Sequence, residues 1–197
     1  MDTPKYYLVI DLEATCDKDH EIPREQTEII ELGAVLVDGA TLLPVGEFQS
    51  FVKPVRHPRL TPFCTQLTSI RQADVDAAPG FAVVMQRLAA FLRDSGASGQ
   101  FIFCSWGNYD RDQLGRDERR HGVRAPLGPR HVNLKESFAR RSGDDGKLGT
   151  GQALRRVGLQ FLGTAHRGID DARNIARLLP YCLGHKPIPA GTSRIAR

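Results

Sequence analysis

The sequence predicts an α/β fold in which one central mixed sheet of about five to six strands is flanked by helices. Apolar runs separated by turn residues fill the first quarter of the chain, and strand-like and helix-like runs alternate after them. Strands in succession followed by such alternation are typical of a single mixed sheet covered by helices. With 197 residues, the chain predicts one domain over residues 1–184 and a loose tail over residues 185–197.

Three predicted strands open the chain as an antiparallel meander. Residues Tyr6 to Leu12, Ile29 to Val37 and Gly46 to Val52 are rich in β-branched, aromatic and aliphatic side chains. A glycine and a proline interrupt the gap between the second and third runs, and they predict a hairpin there. The polar residues 14–27 separate the first two runs and predict a surface loop.

The later elements are predicted from periodicity. Residues 53–80 contain four prolines and predict a loop over most of their length. Apolar residues then recur at helical spacing and predict a helix over Gly80 to Arg93. After it we expect a buried strand over Phe101 to Ser105, a helix over 108–121 and a short strand over Val132 to Leu134. A loop over 141–151 and two helices, over Leu154 to Val157 and Gly168 to Leu183, follow.

Composition narrows the class of protein. The chain is 41% hydrophobic and 25% charged, which is typical of a folded globular protein and excludes a fibrous or disordered class. A net charge of +4 is compatible with a polyanionic partner, but also with a charged surface that only keeps the protein in solution. Four widely spaced cysteines predict free thiols in a reducing compartment. Without a signal sequence or a long apolar stretch, we expect a cytoplasmic location and no membrane partner.

Two acids close the first predicted strand. Side chains alternate along a strand, so Asp11 and Glu13 point to the same face as the apolar Tyr7 and Val9. Two carboxylates at the end of a buried face are costly to desolvate unless a positive charge lies between them. A divalent cation with a preference for oxygen ligands, Mg²⁺ or Mn²⁺, would supply that charge. Taken alone, the pair is equally typical of a strand end that reaches solvent.

The last predicted helix begins with two further acids. Asp171 shares its helix face with the apolar stripe and should point inward, whereas Asp170 lies on a polar face as a cap or surface charge. His166 comes just before this helix and can reach the same cleft. Alternatively, Asp171 is a first-turn acid favoured by the helix dipole, and His166 is a surface residue.

Another acid follows the predicted strand that ends at Ser105. Asp110 lies one helical turn before Leu114 and can therefore lean toward the core. The alternative is an ordinary helix cap, a position where aspartate is common.

Considered together, these acids are more specific than any one of them. Four acids on three elements, with a histidine, match a phosphodiesterase site in which two divalent ions about 3.5–4 Å apart hold the attacking and leaving oxygens. A neutral histidine would take a proton from the attacking water as general base. The predicted catalytic set is Asp11, Glu13, Asp110, His166 and Asp171, and the four acids are its predicted metal ligands.

The chain resembles the DEDDh 3′-to-5′ exonucleases of the ribonuclease-H-like superfamily. The matching motifs are Asp11-Leu12-Glu13-Ala14-Thr15-Cys16, then Tyr109-Asp110, and then His166 followed five residues later by Asp171. Within that family it is similar to the Eri-like branch, which includes histone-mRNA 3′ exonucleases and bacterial KapD-type proteins. The resemblance extends from about Tyr6 to Leu183, and it implies a ribonuclease-H-like fold, two bound metals and His166 as general base.

The resemblance also implies a substrate. It predicts release of nucleoside 5′-monophosphates from the 3′ end of single-stranded nucleic acid, RNA rather than DNA. Phe63 and Tyr109 would flank the terminal base with Leu67 as a wedge, since stacking suits any base. Backbone groups near Ala14 and Thr15 would contact the terminal sugar, where a 2′-hydroxyl contact selects RNA. For Phe63 and Leu67 the alternative is ordinary packing under a proline-rich loop.

Two other functions remain open on the sequence. A DNA exonuclease of the proofreading or repair type would use the same residues. A catalytically silent nucleic-acid-binding adaptor is disfavoured because every predicted site residue is present. With no separate binding domain within the chain, affinity would depend on the cleft and on nearby cations, for which we consider Arg111, Arg140, Arg141 and Arg167. The mixed run 116–121 is expected to be a solvated helix face.

Overall fold

Five strands form one mixed sheet in the computed structural model, which describes residues 4–19 and 21–189. The spatial order is β3-β2-β1-β4-β5. Neighbouring strands are antiparallel from β1 to β3, whereas β4 and β5 run parallel to β1. The strands are β1 (Tyr6–Ala14), β2 (Ile29–Asp38), β3 (Pro44–Phe51), β4 (Phe101–Ser105) and β5 (His131–Asn133). This arrangement confirms the predicted fold class and the predicted meander.

Helices cover both faces of the sheet. They are α1 (Pro62–Thr68), α2 (Gln72–Asp76), α3 (Phe81–Asp94), α4 (Tyr109–His121), α5 (Leu134–Ser142), α6 (Thr150–Arg156) and α7 (Gly168–Leu183). Tyr7 and Val9 point to one face, where they pack against α5, α6 and α7, whereas Leu8 and Ile10 point to the other face, against α3 and α4. The strict alternation of β1 is therefore the reason that its two faces enter two separate apolar clusters.

The start of α7 lies directly on the backbone of β2. A Cβ atom added to Gly33 would lie 2.2 Å from the carbonyl carbon of Gly168 and 2.2 Å from the nitrogen of Ile169. A Cβ atom added to Gly168 would lie 3.0 Å from the carbonyl oxygen of Asp11. Two glycines thus permit the helix to approach the centre of the sheet closely, which brings its first turn beside the end of β1.

The predicted secondary structure misses three helices in two places, although residues 53–80 are loop over most of their length, as predicted. Residues 53–80 include the short helices α1 and α2, because Thr61 caps the first by accepting the N–H of Cys64 at 3.0 Å and Pro62 fits the first helical position. Residue Leu134, predicted at the end of a strand, instead begins α5, whose cap is the Asn133 side chain. In both cases a local cap overrides weak apolar periodicity.

A 3₁₀ turn, Arg24–Gln26, lies in the predicted surface loop. Of the predicted tail, residues 190–197 lie outside the described residues. Across the described ranges, none of the helices combines the length and the apolar character that crossing a membrane requires.

Replacement of Gly33 by alanine should displace the start of α7. The new Cβ atom would overlap the Gly168 backbone, so we expect a loss of at least about 1–3 kcal/mol in the free energy of unfolding, the usual cost of overpacking. Urea unfolding measures this loss. Gly115→Ala is the control, since its Cβ meets nothing closer than 3.5 Å within α4 and removal of a helical glycine should stabilise by about 0.5–1 kcal/mol. Equal stability of the two variants would contradict the close approach.

Candidate active site

A crevice opens where β4 stops before β1. β4 pairs with β1 only between Tyr6 and Val9, and β1 continues to Ala14 with β2 alone beside it. Asp11 and Glu13 lie on this extension, whose edge toward β4 is unpaired, and they point to the face that α7 covers. Crevices at the carboxyl ends of parallel strands are the usual binding sites of α/β sheets. The sheet therefore places both acids at an edge that a ligand can enter.

The first turn of α7 supplies the third acid. The side chains of Asp11, Glu13 and Asp171 each offer an oxygen, and these oxygens all lie within 4.8 Å of one another. Asp171 points into the cleft as its helical position predicts. Asp170 points away, accepting the N–H of Thr164 at 2.9 Å and pairing with Arg173 at 2.9 Å.

Asp110 enters the crevice from the first turn of α4. Its carboxylate accepts the N–H of Leu12 at 3.0 Å, a donor that β4 would have satisfied had it continued alongside β1. The side chain is buried and lines the same cleft as Asp11, Glu13 and Asp171. The four predicted acids are thus brought together from β1, α4 and α7.

Crowding makes these carboxyl groups hard to ionise. Burial, and then repulsion by Asp171, Glu31 and Asp110, raises the pKa of Glu13 to about 8. Burial and the charge of Asp110 raise the pKa of Asp11 well above its usual range. Burial also raises the pKa of Asp110, although the hydrogen bond from the Leu12 N–H acts in the opposite direction. Burial raises the pKa of Asp171 as well, and the N–H groups of His166 and Arg167 partly offset that rise. A cation among these groups would reverse all of these shifts.

The donor set fits divalent cations. Oδ2 of Asp171 is buried and has no hydrogen-bond partner among the described residues. An unpartnered buried carboxylate oxygen is costly unless a ligand satisfies it. Carboxylate oxygens are the ligands preferred by Mg²⁺ and Mn²⁺. Asp11, Glu13, Asp110 and Asp171 are therefore the residues that would hold such ions.

His166 lies at the mouth of the cleft. Its side chain is exposed and lines the cleft with the acids, and its backbone φ is +60°, a left-handed conformation uncommon for residues other than glycine. This turn lets the chain reverse immediately before α7, so that the imidazole and Asp171 face the same space.

The predicted substrate-binding residues divide between two adjoining depressions. Leu67, Tyr109 and Ala14 line the cleft of the acids, whereas Phe63 and Thr15 line a neighbouring depression that shares Tyr109 with it. The Thr15 N–H donates to the Glu28 carbonyl at 2.8 Å, and the Thr15 hydroxyl accepts the Glu28 N–H at 3.0 Å. The polar groups of Thr15 are thus already engaged within the protein.

Sequence reasoning missed part of the cleft wall. Trp106 lines the cleft, and its indole N–H donates to the carbonyl of Leu148 at 3.0 Å, which holds Gly149 and Thr150 at the opposite rim. Nothing local in the sequence indicates that Trp106 has a partner forty-two residues away.

The expectation of a solvated face over residues 116–121 is wrong for Asp117. That side chain is 1% exposed, and it accepts the N–H of Ile29 at 3.2 Å at the start of β2. Mixed charge runs usually face solvent, so only the tertiary position of the Ile29 N–H reveals the exception.

Most of the arginines considered for nucleic-acid binding are engaged within the protein. Arg167 binds Glu31, Arg111 binds its neighbour Asp112, and Arg141 binds the last carbonyls of α7. Arg140 lies 3.9 Å from Glu136 on an exposed face of α5.

Comparison with known proteins identifies the family. The RNase_T model, described as an exonuclease, matches residues 8–179. The chain belongs to this exonuclease family. ERI1 exoribonuclease 3 of Mus musculus is 35% identical over 180 residues, which span 88% of this chain and 52% of that protein. The 3′-5′ exonuclease Snipper of Drosophila melanogaster is 31% identical, over 88% and 68% of the two chains. The chain spans about half the length of the ERI1 exoribonuclease 3 proteins.

Solved structures of exonucleases share the fold. The nuclease domain of 3′hExo, described as a DEDDh family member bound to rAMP, superposes with a TM-score of 0.85 at 26% identity, covering 95% of this chain and 96% of that one. A 3′-exonuclease described in specific recognition of the histone mRNA stem-loop 3′ end gives 0.87 at 26% identity, over 94% and 84%. The predicted DEDDh resemblance is thus confirmed, and this family implies divalent metal ions.

We expect the cleft to make stability depend on pH and on divalent cations. Because the folded pKa of Glu13 is about 8 against an ordinary 4.5, the folded state retains a proton that the unfolded chain releases between those values. Without metal, the stability contributed by this group should therefore be present below about pH 4.5 and be lost as the pH rises toward 8. Added Mg²⁺ or Mn²⁺ should raise Tm more at pH 8 than at pH 5.5, because protons compete for the same oxygens.

Thermal unfolding with chelator and with each cation tests this dependence. Glu13→Gln should flatten the pH dependence and reduce the cation-induced rise in Tm. Glu136→Gln, which changes an exposed acid on α5, should behave like the parent. A cation effect that is unchanged in Glu13→Gln would contradict metal binding at this cleft.

Proposed function

We propose that this protein is a 3′-to-5′ exonuclease that removes nucleoside 5′-monophosphates from single-stranded RNA, using two divalent ions and His166 as general base. The observation that carries the proposal is the convergence of four acids and a histidine in one open cleft. Relatives named as 3′-5′ exoribonucleases and a neighbour described as bound to rAMP support RNA as the substrate.

Hydrolysis of the terminal phosphodiester requires one P–O bond to form and one to break. The oxygen of a water molecule forms a bond to the terminal phosphorus, and the bond from phosphorus to the 3′-oxygen of the preceding nucleotide breaks. His166 takes the proton that the water loses, and the departing 3′-oxygen gains a proton from solvent. The released nucleotide retains its phosphate on the 5′-oxygen, which defines a 5′-monophosphate product.

Bound divalent ions would supply charge stabilisation for the attacking and leaving oxygens. Asp11, Glu13, Asp110 and Asp171 would hold them. Ionised carboxylates in the cleft would repel a phosphate, so a phosphate would approach only when cations compensate the acids.

The walls of the cleft suit a single strand. Tyr109, which is 40% exposed, and Leu67 present apolar surface beside the acids, and Phe63 extends it into the adjoining depression. A terminal base placed against Tyr109 and Phe63 would gain stacking energy whatever its identity. Aromatic stacking needs an unpaired base, which favours single-stranded ends over a duplex.

The two neighbouring aspartates of α7 provide a matched test of the catalytic set. Asp171→Asn should abolish both nucleotide release and the cation-induced rise in Tm, because Asp171 faces the acids. Asp170→Asn should retain activity, since Asp170 binds Thr164 and Arg173 outside the cleft. His166→Ala should retain the cation effect and slow release by about 10²–10⁴-fold.

The assay follows the shortening of 5′-labelled single-stranded RNA with Mg²⁺ or Mn²⁺, and with chelator as the blank. Parent-like activity in Asp171→Asn or His166→Ala would show that the assigned roles are wrong.

The preference for ribose or deoxyribose distinguishes an RNA exonuclease from a DNA exonuclease. If a group near Ala14 contacts the terminal 2′-hydroxyl, single-stranded RNA should be degraded with a higher kcat/KM than DNA of the same sequence. Direct competition between matched RNA and DNA strands measures this ratio in one reaction. A preference for DNA would overturn the RNA assignment and leave the catalytic roles intact.

A further inference from the structure

A fifth acid lies beside the predicted metal ligands. Glu31 is fully buried on β2, and its Cα is the register partner of Glu13 on β1. Its negative charge is close enough to raise the pKa of both Asp11 and Glu13. The catalytic scheme gives it no task, yet a buried charge is retained only when it is well compensated.

The contacts of Glu31 show that it is not available to a metal ion. Its Oε2 accepts the Nε–H of Arg167 at 3.0 Å and the N–H of Gly168 at 3.1 Å. Its Oε1 accepts an Nη2–H of Arg167 at 3.3 Å and the Nε2–H of Gln49 at 2.9 Å. Both oxygens thus accept from protein donors, in contrast to Oδ2 of Asp171, which has no partner within the described part of the chain.

Apart from Gln49 on β3, the donors to Glu31 belong to the segment that carries the catalytic groups of α7. Arg167 directly follows His166, and its carbonyl accepts the N–H of Asp171 at 2.9 Å. The Arg167 guanidinium lies over the ring of Phe51, 5.3 Å from its centroid, which confines the side chain from the other side. The two-point contact of an arginine with a carboxylate fixes orientation as well as distance.

We propose that the Glu31–Arg167 pair is a positioning device that sets His166 and Asp171 relative to Asp11 and Glu13. β2 is hydrogen-bonded in register to β1, so Glu31 is part of the same rigid element as the two acids. Through Arg167 and Gly168, Glu31 ties the start of α7 to that element. The left-handed turn at His166 is uncommon for residues other than glycine, and this tie holds the residue that follows it.

This assignment gives Arg167 a different task from a contact with the substrate phosphate. Three of its contacts, two to Glu31 and one to the face of Phe51, lie within the protein. A residue that aligns catalytic groups affects turnover, whereas a phosphate contact mainly affects substrate affinity and its salt dependence. Because the inference rests on the proposed exonuclease function, the parent protein must degrade RNA in the same assay.

The test compares kcat and KM of Glu31→Gln, Arg167→Met and the double variant on 5′-labelled single-stranded RNA. Each single change should lower kcat by about 10–100-fold, the usual effect of losing a partner behind a metal or catalytic group, with KM nearly unchanged. The double variant should be no slower than the slower single variant, because both changes break one unit. In a His166→Ala background, Glu31→Gln should lower kcat by a smaller factor than it does in the parent.

Glu47→Gln is the matched control. Glu47 on β3 also binds α7, through Arg173 at 2.6 Å, but it lies outside the cleft. Its activity should stay within about two-fold of the parent, as expected for an exposed ion pair. Circular dichroism and Tm verify folding, and if Glu31→Gln does not fold, Arg167→Met and the charge-balanced double variant complete the test.

The outcomes separate the proposals. Failure of the parent to shorten RNA under either cation would overturn the proposed function. An active parent with an equally active Glu31→Gln variant would overturn only the positioning role. A raised KM with unchanged kcat in Arg167→Met would assign Arg167 to substrate binding instead, if the double variant also shows the product of the two single effects on kcat/KM.

Discussion

The burial of four acids in one cleft, together with repulsion between them, is the constraint on which the rest of this structure depends. Asp11, Glu13, Asp110 and Asp171 face a common space, and each is harder to ionise than an isolated acid. A fold tolerates this only where backbone donors and rigid elements hold the groups in place. The Leu12 N–H holds Asp110, and the N–H groups that precede α7 face Asp171. Burial and repulsion that disfavour the ionised acids without metal would also favour the binding of cations among them.

The topology of the sheet explains why these acids meet. β1 is central, and its parallel neighbour β4 ends early, so one edge of its last residues is available to α4 and α7. The opposite edge stays paired with β2, with a shift of register between Glu13 and Ala14. Gly33 and Gly168 then remove the side chains that would hold α7 away from the sheet. A shortened strand and two glycines are therefore as necessary to the site as the acids.

The sequence predicted the parts of this site that depend on local periodicity. Strand alternation placed Asp11 with Glu13, and helical spacing distinguished Asp171 from Asp170, in agreement with the structure. Long-range contacts could not be predicted in this way. The buried Asp117 reads as part of a charged surface run until the Ile29 N–H is placed beside it. Helix α1 was missed because prolines suggested a loop, although Pro62 occupies the one helical position where proline is favoured.

Hydrogen-bond saturation distinguishes the acids that would bind ions from the acid that would position them. Charge and proximity do not distinguish these acids, since Glu31 is the register partner of Glu13 and is at least as buried as the predicted metal ligands. Both of its oxygens accept from protein donors, whereas Oδ2 of Asp171 has no partner in residues 4–19 and 21–189. The same comparison explains why an arginine is required in so acidic a cleft. A neutral donor would leave Glu31 repelling Asp11 and Glu13 without compensation, while the Arg167 guanidinium offsets that charge and orients the chain that carries His166.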